Sequence, residues 1–403
     1  MSLTILKFGG TSVGSIKKIS NVAKLIKKHY TKKNKLIIVS SAMSGVTNDL
    51  IKKSKQISKN FDKFEYDVLL SSGEQIACAL LSGALLDIGL KSRSWLSWQV
   101  PIITYGDNKS SRIVSINKKE ILNYINSGGI PIVTGFQGIS NKKRLTTLGR
   151  GGSDATAISI AKFFNADNCI IYTDVEGVYT TDPKLTKKAK KIDKISYEEI
   201  LEMASLGAKV MAPSSVQDAM INDIDINIKS TFTNNDGTKI YNNQSKFNKN
   251  PITGIAFTKN ESKITLLGVV DRPGVAASIF KPLADNQINV DMVIQNISTN
   301  TGLTDITFTI MRDEVKNCVK ILKDNKKISY KKIIHDDNVS KVSIVGAGMI
   351  TTPGITYRMF QALAKKKINI MVISTSEIKI SVLISQKNIK KAIQILHKEF
   401  DLD

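Results

Sequence analysis

Cysteine is scarce in this chain. Cys78, Cys169 and Cys318 are odd in number and sit inside apolar segments, which argues against a disulfide framework and for reduced core thiols in a cytoplasmic protein. Histidine is equally rare. His29, His335 and His397 are scattered without ligand spacing, so no histidine metal site is expected. No apolar run reaches about 18 residues, so no membrane span is indicated. The opening Met1-Ser2-Leu3-Thr4 passes directly into a strand pattern rather than a signal peptide. Aromatic residues make up 6% of the chain and form no stacking stripe, which speaks against a nucleic-acid binder. Two familiar nucleotide signatures, G-x-x-x-x-G-K-[ST] and G-x-G-x-x-G, are also missing.

Acidic charge is in short supply too: 35 Asp and Glu face 58 Lys and Arg, a net charge of +23. The lysines are dispersed, as in Lys17-Lys18, Lys27-Lys28, Lys52-Lys53 and the runs at 187–191 and 365–367, on polar helix faces and in turns. With abundant isoleucine and asparagine beside them, they read as compositional drift of an AT-rich coding sequence rather than a dedicated surface. The basic field still favours capture of anionic ligands.

Two glycine segments stand out. KFGGTS at 7–12 follows an apolar run at 3–8 that reads as a buried strand, and an amphipathic helix begins near Ile16. TLGRGGSD at 147–154 leads into an alanine-rich helix at 155–164. Glycines let backbone N–H groups approach a ligand, and helix N-termini favour negative charge. A lysine and an arginine built into these loops imply phosphate or carboxylate ligands.

Residues 1–245 alternate strand-like runs (36–40, 130–134, 168–173, 226–230) with helical patterns (16–30, 74–88, 118–125, 197–205, 214–221). This predicts an α/β domain, a mostly parallel sheet sandwiched by helices. A turn-rich boundary at 234–250 follows, and then an internal repeat. KITLLG at 263–268 resembles KVSIVG at 341–346; Pro273-Gly274 matches Pro353-Gly354, and Ile288-Asn289-Val290 matches Ile368-Asn369-Ile370. Each copy reads strand, Pro-Gly turn, helix, turn, strand, strand, helix. The first copy, 263–336, has four candidate strands, whereas the second, 341–403, has three. The unemployed strand at 252–258 is expected to cross over and complete the second unit.

KFGGTSVGS (7–15), SSAMSG (40–45), SGE (72–74), GFQG (135–138), TLGRGGSD (147–154) and YTDVEGVYTTDP (172–183) occur in the order found in the aspartate kinases, and from residue 3 to about 402 the chain resembles the monofunctional form of that family. The resemblance implies an amino acid kinase domain followed by two ACT-like βαββαβ (ferredoxin-like) regulatory units. It implies transfer of the γ-phosphoryl of MgATP to the β-carboxylate of L-aspartate, the first step towards lysine, threonine and methionine. Feedback would come from lysine, threonine or both, in a cytoplasmic homo-oligomer that is at least a dimer through its ACT units, with no nucleic-acid or membrane partner.

Such a transfer needs no general base, because a carboxylate is already ionised at neutral pH; fixed positive charge and orientation should dominate. By resemblance, Lys7 neutralises the transferring phosphoryl group and Asp154 holds that lysine. Gly9 and Gly10 offer N–H donors to the phosphates, with Ser12 nearby. Arg150 grips the α-carboxylate of aspartate as a bidentate fork, Glu74 takes its ammonium, and Thr47, Gly151, Gly152 and Ser153 complete the contacts, with Ser41 on the ATP side of the same pocket. Read without the resemblance, Glu74 after Ser71-Ser72-Gly73 also suits a helix N-terminal acid. The ATP side falls to Thr173, Asp174, Tyr179, Asp182, Lys184 and Lys209, with Mg2+ held mainly through phosphate oxygens and water. Effector positions are Asp271, Arg272, Pro273, Gly274, Val275, Ala276, Asn289, Val290, Asp291 and Gln295 in the first copy. Their counterparts are Ile355, Thr356, Asn369, Ile370, Ser376 and Glu377 in the second.

Overall fold

The computed structural model describes residues 2–31, 33–106, 111–207, 210–242, 250–297 and 302–403. It divides into two compact units. The first is Met1–Tyr179 with Lys191–Ser205 and Lys209–Lys246; the second is Phe247–Asp403 with Thr180–Lys190 and Leu206–Ala208.

The first unit is built on an eight-stranded sheet in the order Lys194–Ser196, Thr238–Tyr241, Ile226–Ser230, Asn168–Thr173, Ser2–Phe8, Asn34–Ser40, Ile130–Thr134, Ser92–Trp95. All neighbours are parallel except the Ile226–Ser230/Thr238–Tyr241 pair. Strand alternation divides the side chains between two cores. Leu6, Phe8, Leu36 and Ile38 pack with Ile19, Val22 and Ile26 of the helix Ile16–His29 and with Ala77, Cys78 and Leu81 of the helix Lys63–Asp87. Ile5, Ile37 and Val39 point the other way, onto Ala157, Ile160 and Ala161 of the helix Gly152–Phe164. The 19/22/23/26 spacing gives the first helix its buried stripe, and the Ser15 hydroxyl caps it by accepting from Lys18 N–H.

The helix expected at 74–88 begins eleven residues earlier and runs from Lys63 to Asp87. Asp62 caps it, accepting from the N–H groups of Phe64 and Glu65. Ser71 and Ser72, which resembled a cap, instead donate their hydroxyls back to the carbonyls of Val68 and Leu69 within the helix. Gly73 lies against the Ala42–Val46 loop, where a β-carbon would come within 2.9 Å of the Ala42 methyl. By length and hydropathy this is the one helix among the described residues able to cross a membrane, yet half of its apolar window is buried within the protein.

The second unit is one six-stranded antiparallel sheet in the order Val293–Ile297, Leu303–Met311, Gly254–Val270, Lys332–Val345, Lys379–Ser385, Ile370–Thr375. Its two long central strands serve both repeats: 263–267 pairs with 332–336, and 254–258 pairs with 341–345. The segment read as a separate strand at 252–258 is therefore continuous with the first strand of the first copy, through an irregularity between Thr258 and Glu261. The repeat is visible in the backbone. Gly274 and Gly354 start 11-residue helices at φ 87° and 85°, and Gln287 and Lys367 follow those helices at φ 59° and 56°. The strap Thr180–Lys190 belongs here. Thr180 accepts from Ile255 N–H, its hydroxyl lies 2.8 Å from His397 Nε2, and the Lys188 ammonium sits 2.6 Å from the Asp403 carboxylate.

Candidate active site

Parallel strands end on one side of the first unit's sheet, and ligands gather at such ends where strand order reverses. Lys7 is the penultimate residue of Ser2–Phe8 and shares its face with Ile5, the face covered by the helix Gly152–Phe164. Asp154 lies in the first turn of that helix. The two meet as an ion pair of 2.6 Å, each side chain about one-tenth exposed. The alternation that buries Ile5 therefore also aims the Lys7 ammonium at Asp154.

Around this pair is a cavity of about 360 Å³. The Ser41–Gly45 loop, Thr47, Glu74, Phe136 and Gly149–Asp154 line it with Lys7 and Gly10. Glu74, nearly buried, accepts at Oε1 from Ala42 N–H at 3.0 Å, while Oε2 is buried with no hydrogen-bond partner. Burial pushes its carboxyl up to about 7, against the opposing effect of the backbone hydrogen bonds. A carboxylate so placed favours an incoming ammonium. Its mid-helix position rules out the N-terminal-acid reading. Arg150 is exposed on the cavity lining, in the turn before Gly151, which starts the Gly152–Phe164 helix at φ 78°.

The structure thus brings Lys7, Gly10, Ser41, Thr47, Glu74, Arg150, Gly151, Gly152, Ser153 and Asp154 to one cavity. One expected donor is corrected. Gly9 N–H bonds to the Tyr172 carbonyl at 3.1 Å, because the parallel pairing of Ser2–Phe8 with Asn168–Thr173 continues past the strand end. Ser12 is fully buried against the Thr231 hydroxyl at 2.6 Å. Thr173 closes the neighbouring strand at the same end of the sheet, with Asp174 exposed beside it and the Tyr179 hydroxyl donating to Glu176 at 3.2 Å. Asp182 and Lys184 belong to the strap of the second unit, where Asp182 accepts from Lys184 N–H. Lys209 lies outside the described residues. Sequence reasoning missed Phe136, whose φ of 67° is unusual for a non-glycine residue. The GFQG string that contains it was the available signal.

In the second unit, Asp271–Gly274 form the turn before the helix Val275–Asp285, and Gln295 Nε2 reaches the Asp271 carboxylate at 3.4 Å. Asn289 and Val290 follow that helix, and the Asp291 carboxylate pairs with the buried Lys341 ammonium. Ile355 and Thr356 open the corresponding helix, Asn369 and Ile370 enter the strand after it, and Ser376 and Glu377 form the next turn.

Comparison with known proteins agrees with this fold. A sequence model of the amino acid kinase family matches residues 2–230, and one of the ACT domain matches 264–325 and 342–400. An aspartate kinase of Pseudomonas putida is 44% identical over 405 residues, spanning all of this chain and 98% of that protein. The chain belongs to the aspartokinase branch of the amino acid kinase family. An aspartokinase of Corynebacterium glutamicum is 40% identical over 407 residues, again across all of this chain and 97% of its own. The crystal structure of E. coli aspartokinase III with aspartate and ADP superposes with a TM-score of 0.81 over 99% of this chain and 100% of that one. At 23% identity, that likeness speaks for the fold alone.

Proposed function

We propose that this chain is an ATP-dependent aspartate kinase that phosphorylates the β-carboxylate of L-aspartate to 4-phospho-L-aspartate. The observation that carries the reading is a single cavity holding a paired Lys7, an unpartnered buried oxygen on Glu74 and the exposed Arg150. Glu74 takes the α-ammonium and Arg150 the α-carboxylate, which leaves the β-carboxylate free to face Lys7. That carboxylate is ionised at neutral pH, so the site's task is to bring two anions together. Lys7, held by Asp154, stabilises negative charge on the transferring phosphoryl group. Thr47 and Ser41 through Ser44 line the same wall.

Asp154 is held by Lys7 and the open oxygen of Glu74 is kept for the substrate ammonium, which suits Mg2+ carried on phosphate oxygens. Bound so, the ion supplies charge neutralisation to the nucleotide. ATP lies along Gly10 and the Thr173, Asp174 and Tyr179 end of the sheet. Residues 1–245, apart from the strap Thr180–Lys190 that packs in the second unit, form the catalytic domain, 263–336 the first regulatory unit, and 252–258 with 341–403 the second.

Lysine, threonine or both bind the turns around Asp271–Ala276, Asn289–Asp291 and Gln295 and their second-copy counterparts. The outer strands Val293–Ile297 and Ile370–Thr375 carry half-exposed Val293 and Ile373 on open sheet edges, which supports pairing of the regulatory units into at least a dimer. The scarcity of cysteine and its burial fit a reducing, cytoplasmic setting. Aspartate-dependent ADP formation, with the acyl phosphate trapped by hydroxylamine and with lysine and threonine added in turn, tests the reading. No aspartate dependence overturns it.

A further inference from the structure

Asp67 is a fully buried carboxylate seven residues before Glu74 on the helix Lys63–Asp87, on the same buried stripe. It does not line the cavity. Its Oδ1 accepts from the Thr147 hydroxyl at 2.8 Å and its Oδ2 from the Thr147 N–H at 3.2 Å. Thr147 ends the strand Leu145–Thr147 and opens the segment that carries Arg150. A second brace converges there. Gln137, the cross-strand partner of Thr147, is also fully buried and donates from Nε2 to the Ser71 carbonyl of the same helix at 3.0 Å.

We infer that Asp67 is a positioning residue that sets the separation between Glu74 and Arg150. The inference rests on the reading that those two grip the ammonium and α-carboxylate of one amino acid. The spacing of these groups in the substrate is covalently fixed, so any slip between helix and loop falls on amino-acid binding. A two-point grip by a buried carboxylate on one residue fixes both translation and rotation of the loop against the helix. The nucleotide, held elsewhere, should not feel the slip.

The test is steady-state kinetics on the full chain for Asp67→Asn, Thr147→Val and Thr147→Ser, with Arg150→Lys measured alongside. Asp67→Asn and Thr147→Val should raise KM for aspartate about 10- to 100-fold, the scale of a misplacement near 1 Å, with KM for ATP unchanged. Thr147→Ser keeps the hydroxyl and should restore near-normal values. If Asp67→Asn does not fold, the Thr147 pair decides. An unchanged KM for aspartate in the folded variants, or equal rises for both substrates, overturns the positioning role. If Arg150→Lys raises KM for aspartate and the others do not, only the positioning role is lost. If Arg150→Lys leaves it unchanged, the substrate reading falls and this inference with it.

Discussion

Burial places the Glu74 carboxyl near 7, inside the range where enzymes are assayed. Aspartate binding should therefore depend on pH through the protein. Only ionised Glu74 accepts the substrate ammonium, and at pH 6 a group with a pKa of about 7 is roughly one-tenth ionised, against about nine-tenths at pH 8. Apparent KM for aspartate should rise about tenfold between pH 8 and pH 6, with KM for ATP carrying no such step. Glu74→Gln keeps an oxygen for Ala42 N–H but removes the charge. It should weaken aspartate binding at pH 8 by about 1.5–3 kcal/mol, roughly 10- to 150-fold, and flatten the pH profile. Stability should move the opposite way. The folded pKa lies above the ordinary value of 4.5, so the folded state holds a proton that the unfolded chain has released, and stability falls as pH rises from about 4.5 to 7. Glu74→Gln should accordingly stabilise the substrate-free protein at pH 8 by about 3 kcal/mol, read by chemical denaturation. A KM for aspartate that is flat from pH 6 to 8, or a pH step that survives in Glu74→Gln, would refute the assignment of Glu74 to the ammonium.

Lys7→Ala should lower turnover by about 10²–10³ with the circular dichroism spectrum retained, the usual cost of one preorganised charge; more than about a third of normal turnover rules out its role at the phosphoryl group. Arg150→Lys should raise KM for aspartate well beyond that for ATP, because a point charge cannot replace a planar fork, and the reverse pattern would move Arg150 to the nucleotide. Gln295→Ala, which also releases the Asp271 carboxylate, should relieve lysine or threonine inhibition with little change in uninhibited turnover. Inhibition curves unchanged for both amino acids would take Gln295 out of the effector site.

Much of the fold could be read from local pattern. Strands buried on both faces are near-continuous apolar runs, so Ser2–Phe8, Asn34–Ser40 and Ile130–Thr134 announce themselves. The cavity residues were legible because glycine-rich strings and charged side chains coincide at strand ends. What escaped depended on tertiary context. The helix Val46–Ile57 went unread although Val46, Leu50 and Ile57 lie at helical spacing, and of its residues only Ser54 is buried. The start of Lys63–Asp87 was obscured because a Ser-Ser-Gly run suits a cap as well as a helix interior that backs onto its own carbonyls. The two acids on its buried stripe, Asp67 and Glu74, break the hydrophobic periodicity. The loss of the Gly9 N–H to Tyr172 follows from a strand neighbour more than 160 residues away in sequence, a pairing that no local pattern records.

The strap Thr180–Lys190 also bears on how this protein can be taken apart. Linear order assigns those residues to the kinase half, but their partners are Ile255, Gln394, His397 and Asp403. A polypeptide ending before Pro251 would carry Leu185 without the carboxyl-terminal apolar cluster it packs against. Exchange of regulatory halves between relatives by a single crossover near residue 250 would combine one parent's strap with the other parent's His397 and Asp403. Functional chimeras should therefore be recovered when residues 180–190 are transplanted together with the carboxyl-terminal segment, so that the heritable module is discontinuous in the gene although compact in space.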